Sequence, residues 1–255
     1  GLENPSLYRK VMQHATDTIH CPKCGTRLTY GGVYYSHLGK WSCGSCGFTH
    51  PDVTLSMNNY RSSLEGMYNH YNAITAAAVG ELLNISNNSI KEALASFIPA
   101  FGRMEQMIVR GKNVRIVLSK NPTGFNESLQ TYLNSKNNGP LLLLLNDRIP
   151  DGTDVSWIWD VDFELLAGHK NEIIVSGDRT YDMGVRMKYA ISNIQYPISN
   201  IKSNTKKQHL IIEPNLKVAV DKAINLTQSN ETLWILATYS AMLDVRKLLT
   251  GKKIL

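Results

Sequence analysis

Four cysteines form two closely spaced pairs near the start of the chain, and their thiolates are well suited to holding a metal ion. Cys21 and Cys24 lie in "CPKCG", Cys43 and Cys46 lie in "CGSCG", and eighteen residues separate the pairs. The pattern C-x2-C-x18-C-x2-C is typical of zinc ribbons. Four thiolates fill the tetrahedral coordination of Zn²⁺ and leave no position for a reacting water molecule. The spacing therefore favours a structural zinc over a catalytic one.

The residues around the cysteines fit two metal-binding turns joined by strands. Gly25 and Gly47 follow the second cysteine of each pair, where a tight turn needs freedom at φ. The segments "RLTY" and "VYYSHLGKWSC" are rich in β-branched and aromatic residues, which predicts two short strands. His50 is interpreted as a surface residue, because four cysteines complete the site without it.

Zinc ribbons often contact nucleic acid, so that function must be weighed here. The ribbon carries Lys23, Arg27 and Lys40, but it has no dense basic run. The formal net charge of +6 is explained equally well by solubility or by an anionic ligand, either a polyphosphate or a nucleic acid. We expect no nucleic-acid partner, and a non-enzymatic ribbon or scaffold module is kept as the alternative function.

Composition indicates an ordinary globular chain of one or two domains. The 255 residues are 43% hydrophobic and 19% charged. The longest purely apolar run, 141–145, is too short to cross a membrane, and the N-terminal residues contain no apolar signal core. Because all the cysteines belong to one cluster, a reducing cytoplasm is the expected location.

The second half of the chain alternates apolar runs with helical patterns, and we place its beginning near 100–112. Strands are predicted at 114–122, 141–147, 172–179, 209–214 and 233–239. Helices are predicted at 125–135, 160–168, 181–193, 215–229 and 240–249. Nearly continuous apolar strands that alternate with helices predict an α/β fold, with a mostly parallel sheet covered by helices on both faces.

Two helices are predicted between the ribbon and this sheet. The first lies within 63–86, with its apolar stripe at positions 73, 76, 77, 80, 82 and 83, and either Asn69 or Asn72 is expected to cap its start. The second is "NNSIKEALASFI", with Ser89 as the expected cap.

Polar loops follow three of the predicted strands. They are "SKNPTGFN", "NDRIPDGTDVSW" and "GDRTYD". In open α/β sheets, ligands bind beyond the carboxyl ends of the strands, so these loops predict a site at one edge of the sheet. The alternative is that the same residues only form turns.

Four segments carry a resemblance to a known family. The segments "EGMYNHYNAITAAA" (65–78), "FGRME" (101–105), "KNPTGFN" (120–126) and "LNDRIPDGTDVSWIWDVDFE" (145–164) resemble Mur ligases. Together with the ribbon, they are similar to the MurT branch of that family. The resemblance implies that 1–102 is the remainder of the ATP-binding middle domain, with the zinc ribbon at about 18–52, and that 103–255 is the Rossmann-like C-terminal domain.

The resemblance also implies a reaction. ATP, with magnesium, would phosphorylate the α-carboxylate of D-glutamate in the stem peptide of lipid II at the membrane surface. Ammonia from a GatD-like glutaminase partner would then displace the phosphate and give D-isoglutamine. Phosphorylation makes chemical sense because a carboxylate resists nucleophiles until it has a leaving group, and the transferred phosphoryl group needs cationic donors around it.

Several residues acquire roles by this resemblance. Asn69 and Asn72 match asparagines near the adenine, with helix capping as the alternative for both. Arg103 matches a linker arginine that reaches the nucleotide, with a simple surface role as the alternative. Lys120 and Asn121 occupy the loop where other Mur ligases carry a His-Asn-Pro motif, and the departure to "KNP" leaves their roles open.

Asp154 is expected to act on the partner. By resemblance, it matches an aspartate that completes a Cys–His pair of the glutaminase across the interface. Such a carboxylate would hold the histidine in one tautomer and stabilise its charged form. That role requires an exposed Asp154, and the alternative is a local Asx-turn onto the backbone of residue 156.

Two motifs are absent from the sequence. No segment matches G-x-x-x-x-G-K-[ST], the loop on which Mur ligases bind triphosphate. A MurT-like chain would carry that loop upstream of the ribbon, so this chain is expected to be an inactive fragment by itself. Each cysteine is assigned to the ribbon, so none remains to hydrolyse glutamine, and ammonia must come from another protein.

Overall fold

A computed structural model describes residues 1–9, 12–56, 60, 62–98, 104–191 and 210–251. The chain divides into two compact units, an N-terminal unit at Gly1–Pro99 and a C-terminal unit at Ala100–Leu255. Among the described residues, no helix combines the length and the apolar character that crossing a bilayer requires.

The N-terminal unit contains an antiparallel hairpin and two helices. Strands β1 (Thr29–Tyr35) and β2 (Leu38–Ser42) pair between the two cysteine motifs, which confirms strands in this region. The predicted division was wrong: β1 joins "RLTY" to the start of "VYYSHLGKWSC", and the turn at 36–37 lies within that second segment. The helices are α1 (Met67–Leu82) and α2 (Asn87–Ser96).

The predicted helix caps are wrong. Helix α1 begins after Gly66, so Asn69 and Asn72 lie inside the helix and cap nothing. Helix α2 is capped by Ser86, whose hydroxyl accepts a hydrogen bond from the Ser89 backbone N–H at 3.2 Å. The stripe on α1 is partly correct: positions 73, 77 and 80 are buried, whereas 76, 82 and 83 are exposed, and Ile74 is buried instead.

The C-terminal unit is built around one six-stranded sheet in its described residues. The strands are β3 (Glu105–Val109), β4 (Lys112–Leu118), β5 (Asn138–Leu144), β6 (Ile173–Ser176), β7 (Leu210–Ile212) and β8 (Thr232–Ala237). The helices are α3 (Pro122–Asn134), α4 (Thr180–Ile191), α5 (Leu216–Leu226) and α6 (Tyr239–Thr250). The strand order is β3-β4-β8-β5-β6-β7, and only β3 pairs antiparallel with its neighbour.

This sheet confirms the five predicted strands and the α/β class, with two exceptions in detail. No strand was predicted at β3, which is short and lies at the edge of the sheet; its sequence, "EQMIV", does not alternate, although its residues alternate between half-buried and exposed. A helix predicted at 160–168 is instead a pair of short 3-10 turns, Ser156–Asp160 and Phe163–Leu166.

Alternate residues of the buried strands serve two separate cores. Leu141, Leu143 and Trp234 pack on the side of α3 and α4, with the two 3-10 turns. Leu142 and Ile235 pack on the side of α5 and α6. Because both faces are covered, each strand reads as a continuous apolar run instead of an alternating one.

The side chain of Asn146 joins three strand ends at the carboxyl edge of the sheet. It follows β5 and is buried. Its Nδ2 donates to Ser240 Oγ at 2.9 Å, beyond β8, and its Oδ1 accepts from the Asp178 N–H at 2.9 Å, beyond β6. Gly177 makes this approach possible: it has a φ of +106°, and an added Cβ would lie 2.5 Å from the Leu145 carbonyl oxygen.

We expect Gly177→Ala to destabilise the C-terminal unit by roughly 3 kcal/mol, the sum of a left-handed backbone cost and a steric clash. Gly152→Ala is the matched control, because Gly152 also has a positive φ, +86°, but nothing lies within 4 Å of an added Cβ. It should cost only about 1 kcal/mol. Urea unfolding of both variants measures the difference, and equal losses would contradict a close approach at Gly177.

Candidate functional site

The four cysteine sulfurs form a cluster whose dimensions fit zinc. All four Sγ atoms lie within 4.8 Å of one another. The Sγ–Sγ distances are 3.6 Å for Cys21 and Cys46, and 3.5 Å for Cys24 and Cys43. A regular tetrahedron with Zn–S bonds of 2.3 Å places its sulfurs about 3.8 Å apart. The donor set and its spacing therefore suit one four-coordinate zinc ion.

Two similar turns present these sulfurs. The Gly25 N–H donates to the Cys21 carbonyl at 2.8 Å, and the Gly47 N–H donates to the Cys43 carbonyl at 3.0 Å. Both glycines have positive φ, +74° and +71°, as their place after the cysteines predicts. Each turn thus folds back over its first cysteine and brings the two sulfurs of a pair together.

The thiols differ in how readily they become thiolates. Hydrogen bonds from Thr26 lower the pKa of Cys24 to about 6. A backbone hydrogen bond from Phe48 favours the Cys46 thiolate, but burial and the neighbouring sulfurs outweigh it and raise the pKa of Cys46 to about 12. Four adjacent thiolates repel one another, so the cluster needs a cation to ionise fully.

We expect the purified protein to hold one zinc ion per chain, and Cys43→Ser to lose it. Because the zinc ligands form only with the folded turns, loss of zinc should also unfold the ribbon. Elemental analysis measures the zinc, and limited proteolysis reports the ribbon. His50→Asn is the control and should retain full zinc. A chain that carries no zinc, or a Cys43→Ser variant as resistant to protease as the parent, would contradict a structural metal.

The two asparagines assigned to adenine differ in exposure. Asn69 is buried in α1, and its Nδ2 donates to the Glu65 carbonyl at 2.6 Å. Asn72 is exposed, and its Nδ2 lies 3.4 Å from Asn69 Oδ1. Asn72 is thus the one with its side chain open to a ligand. Arg103 lies outside the described residues, and the nucleotide roles of all three stay predictions.

The "KNP" loop fixes the start of α3. The Asn121 side chain accepts a hydrogen bond from the Gly124 N–H at 2.7 Å, which makes it the N-cap, and Pro122 occupies the first turn. Lys120 is exposed just before it. Asn121 therefore has a structural task, whereas Lys120 leaves a cation available at the end of β4.

The charged residues of the loops beyond β5 and β6 pair mainly with one another. Arg148 bonds to Asp178 at 2.7 Å and to Asp244 at 2.8 Å. Arg179 bonds to Asp182 at 2.8 Å and to Asp147 at 3.0 Å, and this arginine holds the pKa of Asp182 below its usual range. These bonds favour the alternative in which the loops chiefly hold their own turns.

Asp154 is exposed and sits at an open cavity of about 500 Å³. Its Oδ1 accepts a hydrogen bond from the Ser156 N–H at 2.8 Å, so the Asx-turn considered from sequence is present. Hydrogen bonds from Ser156 hold the pKa of Asp154 below its usual range, so the carboxylate is ionised at neutral pH. Trp159, Tyr181 and Asp182 also line the cavity.

Buried Arg186 holds the loop that carries Asp154. It projects from α4, and its side chain is 3% exposed. Its Nε donates to the Ile158 carbonyl at 3.1 Å, and its Nη2 donates to the Val161 carbonyl at 2.7 Å. Glu164 supplies the counter-charge at 2.8 Å. One guanidinium therefore contacts both 3-10 turns and the link between them.

Next to the cavity, α4 exposes an apolar stripe that sequence reasoning missed. Tyr181, Val185 and Tyr189 lie at successive helical turns and are 68%, 49% and 54% exposed. Trp159 is 50% exposed, with its ring centroid 5.9 Å from that of Tyr189. We call these four residues the α4 stripe. The spacing of four residues between 181, 185 and 189 could have indicated this stripe. It was missed because a helix that covers a sheet needs one apolar face, and Met183 and Met187 already supply it.

Comparison with known proteins identifies relatives of both units. The family model described as "MurT ligase C-terminal" matches residues 118–242. The lipid II isoglutaminyl synthase (glutamine-hydrolyzing) subunit MurT of Streptococcus pneumoniae is 30% identical over 96% of this chain and 56% of its own length. The subunit of that name from Staphylococcus aureus is 33% identical over 71% of this chain and 45% of its own length. The chain thus spans about half the length of these relatives.

Solved structures share the fold at lower identity. A pseudomurein peptide ligase type C from Methanothermus fervidus superposes with a TM-score of 0.66 at 22% identity, over 98% of this chain and 52% of that one. MurF from Acinetobacter baumannii gives a TM-score of 0.52 at 17% identity, over 84% of this chain and 41% of that one. Both likenesses concern the fold alone.

Proposed function

We propose that this chain, which matches the MurT ligase C-terminal model over residues 118–242 and is 30% identical to a MurT subunit, is a member of the MurT family and forms part of the ligase subunit of a lipid II isoglutaminyl synthase. The reaction is the ATP-dependent amidation of the D-glutamate α-carboxylate of lipid II, in the cytoplasm and at the membrane surface. A glutaminase partner of the GatD type supplies the ammonia. The relatives' ligase role in peptidoglycan synthesis supports this assignment, and the exposed surface around Asp154 supports a partner there.

The single observation that carries the partner proposal is the exposed Asp154 beside the α4 stripe. An ionised carboxylate at an open cavity, next to four large exposed side chains, has the layout of a protein interface. Aromatic residues dominate the binding energy of such interfaces, and a polar group placed among them fixes orientation. The partner would cover Trp159, Tyr181 and Tyr189 and bring a histidine to Asp154.

The carboxylate of Asp154 can accept a further hydrogen bond, as that task requires. Its Oδ1 accepts from the Ser156 N–H, and the two oxygens of a carboxylate together have lone pairs for several hydrogen bonds. Oδ2 would accept the N–H of the partner's histidine, hold that ring in one tautomer and stabilise the imidazolium that forms when the cysteine ionises. Asp154 thus completes a Cys–His pair that lies on the other protein.

By the family resemblance, five residues of this chain would serve the ligase half of the reaction. Asn69 and Asn72 would lie near the adenine, Arg103 would contact the nucleotide, and Lys120 would face its phosphates, with Asn121 fixing the loop. ATP and magnesium supply the leaving group and neutralise charge on the transferred phosphoryl group. Because the sequence lacks G-x-x-x-x-G-K-[ST], we propose that this chain alone has no ATPase or amidation activity.

The zinc has a structural role in this proposal. Cys21, Cys24, Cys43 and Cys46 would each supply one thiolate and leave no open coordination position. The buried part of the ribbon is small, with Leu28 and the two first cysteines at its centre. Too little apolar surface is buried there to hold the turns without a metal.

We expect Asp154→Asn to lower glutaminase turnover in the full-length complex by at least about 10-fold, because the histidine loses its carboxylate partner. The asparagine keeps the Oδ1 acceptor, so the Asx-turn and the affinity for the partner should be retained. Asp160→Asn, another exposed carboxylate of the same loop, is the matched control. Glutamine hydrolysis by the purified complex provides the measurement, and turnover equal to the control would refute the role of Asp154.

The α4 stripe should determine affinity for the partner. We expect Tyr189→Ser to raise the Kd for the glutaminase subunit about 10-fold, through loss of apolar contact at the interface. Leu248→Ser is the control, because Leu248 is 45% exposed on α6, which covers the other face of the sheet. Calorimetry with the full-length subunit measures both. A loss of affinity in Leu248→Ser alone would place the partner on the opposite face.

A further inference from the structure

We propose that Arg186 is a positioning residue for the glutaminase reaction: it holds the 3-10 turns so that Asp154 faces the partner. This inference rests on the proposed function, since it requires Asp154 to act on a partner's histidine. The observation behind it is a fully buried guanidinium whose hydrogen bonds go to the backbone of the loop that carries Asp154.

A series of hydrogen bonds connects Arg186 to the turn that carries Asp154. Arg186 Nε donates to the Ile158 carbonyl at 3.1 Å, and the Ile158 N–H donates to the Val155 carbonyl at 3.1 Å. Val155 is buried and immediately follows Asp154, and the next residue, Ser156, donates its N–H to the Asp154 carboxylate at 2.8 Å. The turn that Arg186 grips is therefore the turn that aims this carboxylate.

The same guanidinium also orders the aromatic rim. Its central carbon lies 5.4 Å from the ring centroid of Trp159 and 5.4 Å from that of Phe163. Trp159 is the member of the α4 stripe that comes from the loop, and its ring packs near Tyr189 of the helix. Arg186 thus holds both the polar and the aromatic parts of the surface in one geometry.

Stability alone does not account for this residue. Burying a guanidinium carries a large desolvation cost, and replacing a buried ion pair by apolar residues of similar volume is often neutral or stabilising. The counter-ion, Glu164, is 52% exposed, so solvent weakens the attraction between the two charges. What an apolar residue cannot do is donate to the carbonyls of Ile158 and Val161 together. These bonds specify where the loop lies, which is the property that a site across an interface needs.

The test is a double-mutant cycle in the full-length complex with its glutaminase. Arg186→Met keeps an unbranched, flexible side chain and removes the donors. We expect it to lower kcat for glutamine hydrolysis about 10-fold without changing the KM, because glutamine binds to the partner and only the carboxylate is misplaced. The variant that also carries Asp154→Asn should be no slower than Asp154→Asn alone, since both changes remove one interaction.

The control is Arg110→Met, which removes an arginine that is 61% exposed and paired with Asp221 on the surface of the same unit. It should leave kcat unchanged. If Arg186→Met does not fold, Arg186→Lys replaces it in the cycle: one ammonium cannot reproduce the fork, so a smaller kcat loss is expected, again absent on the Asp154→Asn background.

The outcomes separate this inference from the proposed function. Full turnover in the Arg186 variants, or losses that multiply with those of Asp154→Asn, would leave Arg186 with a structural role only and overturn the inference while the function stands. Full turnover in Asp154→Asn would remove the proposed role of Asp154 and the positioning role together. The expected pattern is a kcat loss at Arg186 that vanishes when residue 154 is asparagine.

Discussion

The hydrogen bonds of the buried Asn146 side chain tie together the carboxyl ends of three strands in the C-terminal unit. Its Nδ2 reaches Ser240 and its Oδ1 accepts from the Asp178 N–H, so the ends of β5, β6 and β8 are fixed in one plane. The loop that carries Asp154 leaves from the end of β5, and α4 leaves from the end of β6. The two walls of the cavity are therefore fixed where they begin, and Gly177 must be a glycine for the strand ends to come this close.

Arg186 joins the same two walls at a second place, away from the strand ends. It leaves the middle of α4 and bonds to the backbone of the loop, so a neutral amide at the sheet edge and a buried cation in the core hold one surface between them. The division of tasks is chemically reasonable. The amide is both donor and acceptor, so it can bond to the ends of two neighbouring parallel strands. The guanidinium only donates, so it suits a loop that presents several carbonyls.

Much of the fold follows from local patterns in the sequence. Neighbouring residues such as Leu141 and Leu142 pack on opposite faces of the sheet, and continuous apolar runs of this kind indicate parallel strands covered on both faces. The helix predicted at 160–168 was wrong because this segment is held by a distant residue: Val161 and Glu164 bond to Arg186, more than twenty residues later in the chain. Asn69 was wrongly predicted as a cap because helix α1 starts earlier, and Asn69 is buried within it. The cysteine cluster was predictable because its ligands follow a known spacing, whereas the nucleotide residues were assigned by resemblance alone.

The two sides of α4 show why its exposed stripe is a candidate surface for a second protein. Met183, Met187 and Ala190 pack into the core against the sheet, which accounts for the apolar character of one side of the helix. Tyr181 and Tyr189 lie on the other side, where a monomeric helix normally presents charged residues. Ordering large apolar side chains at a surface has no benefit for folding, because they stay in contact with water. A helix that is apolar on both sides has two surfaces to bury, and the sheet covers only one of them. In the proposed complex, the carboxylate of Asp154 would set the partner's orientation, because a charge placed among aromatic residues can be matched in only a few ways.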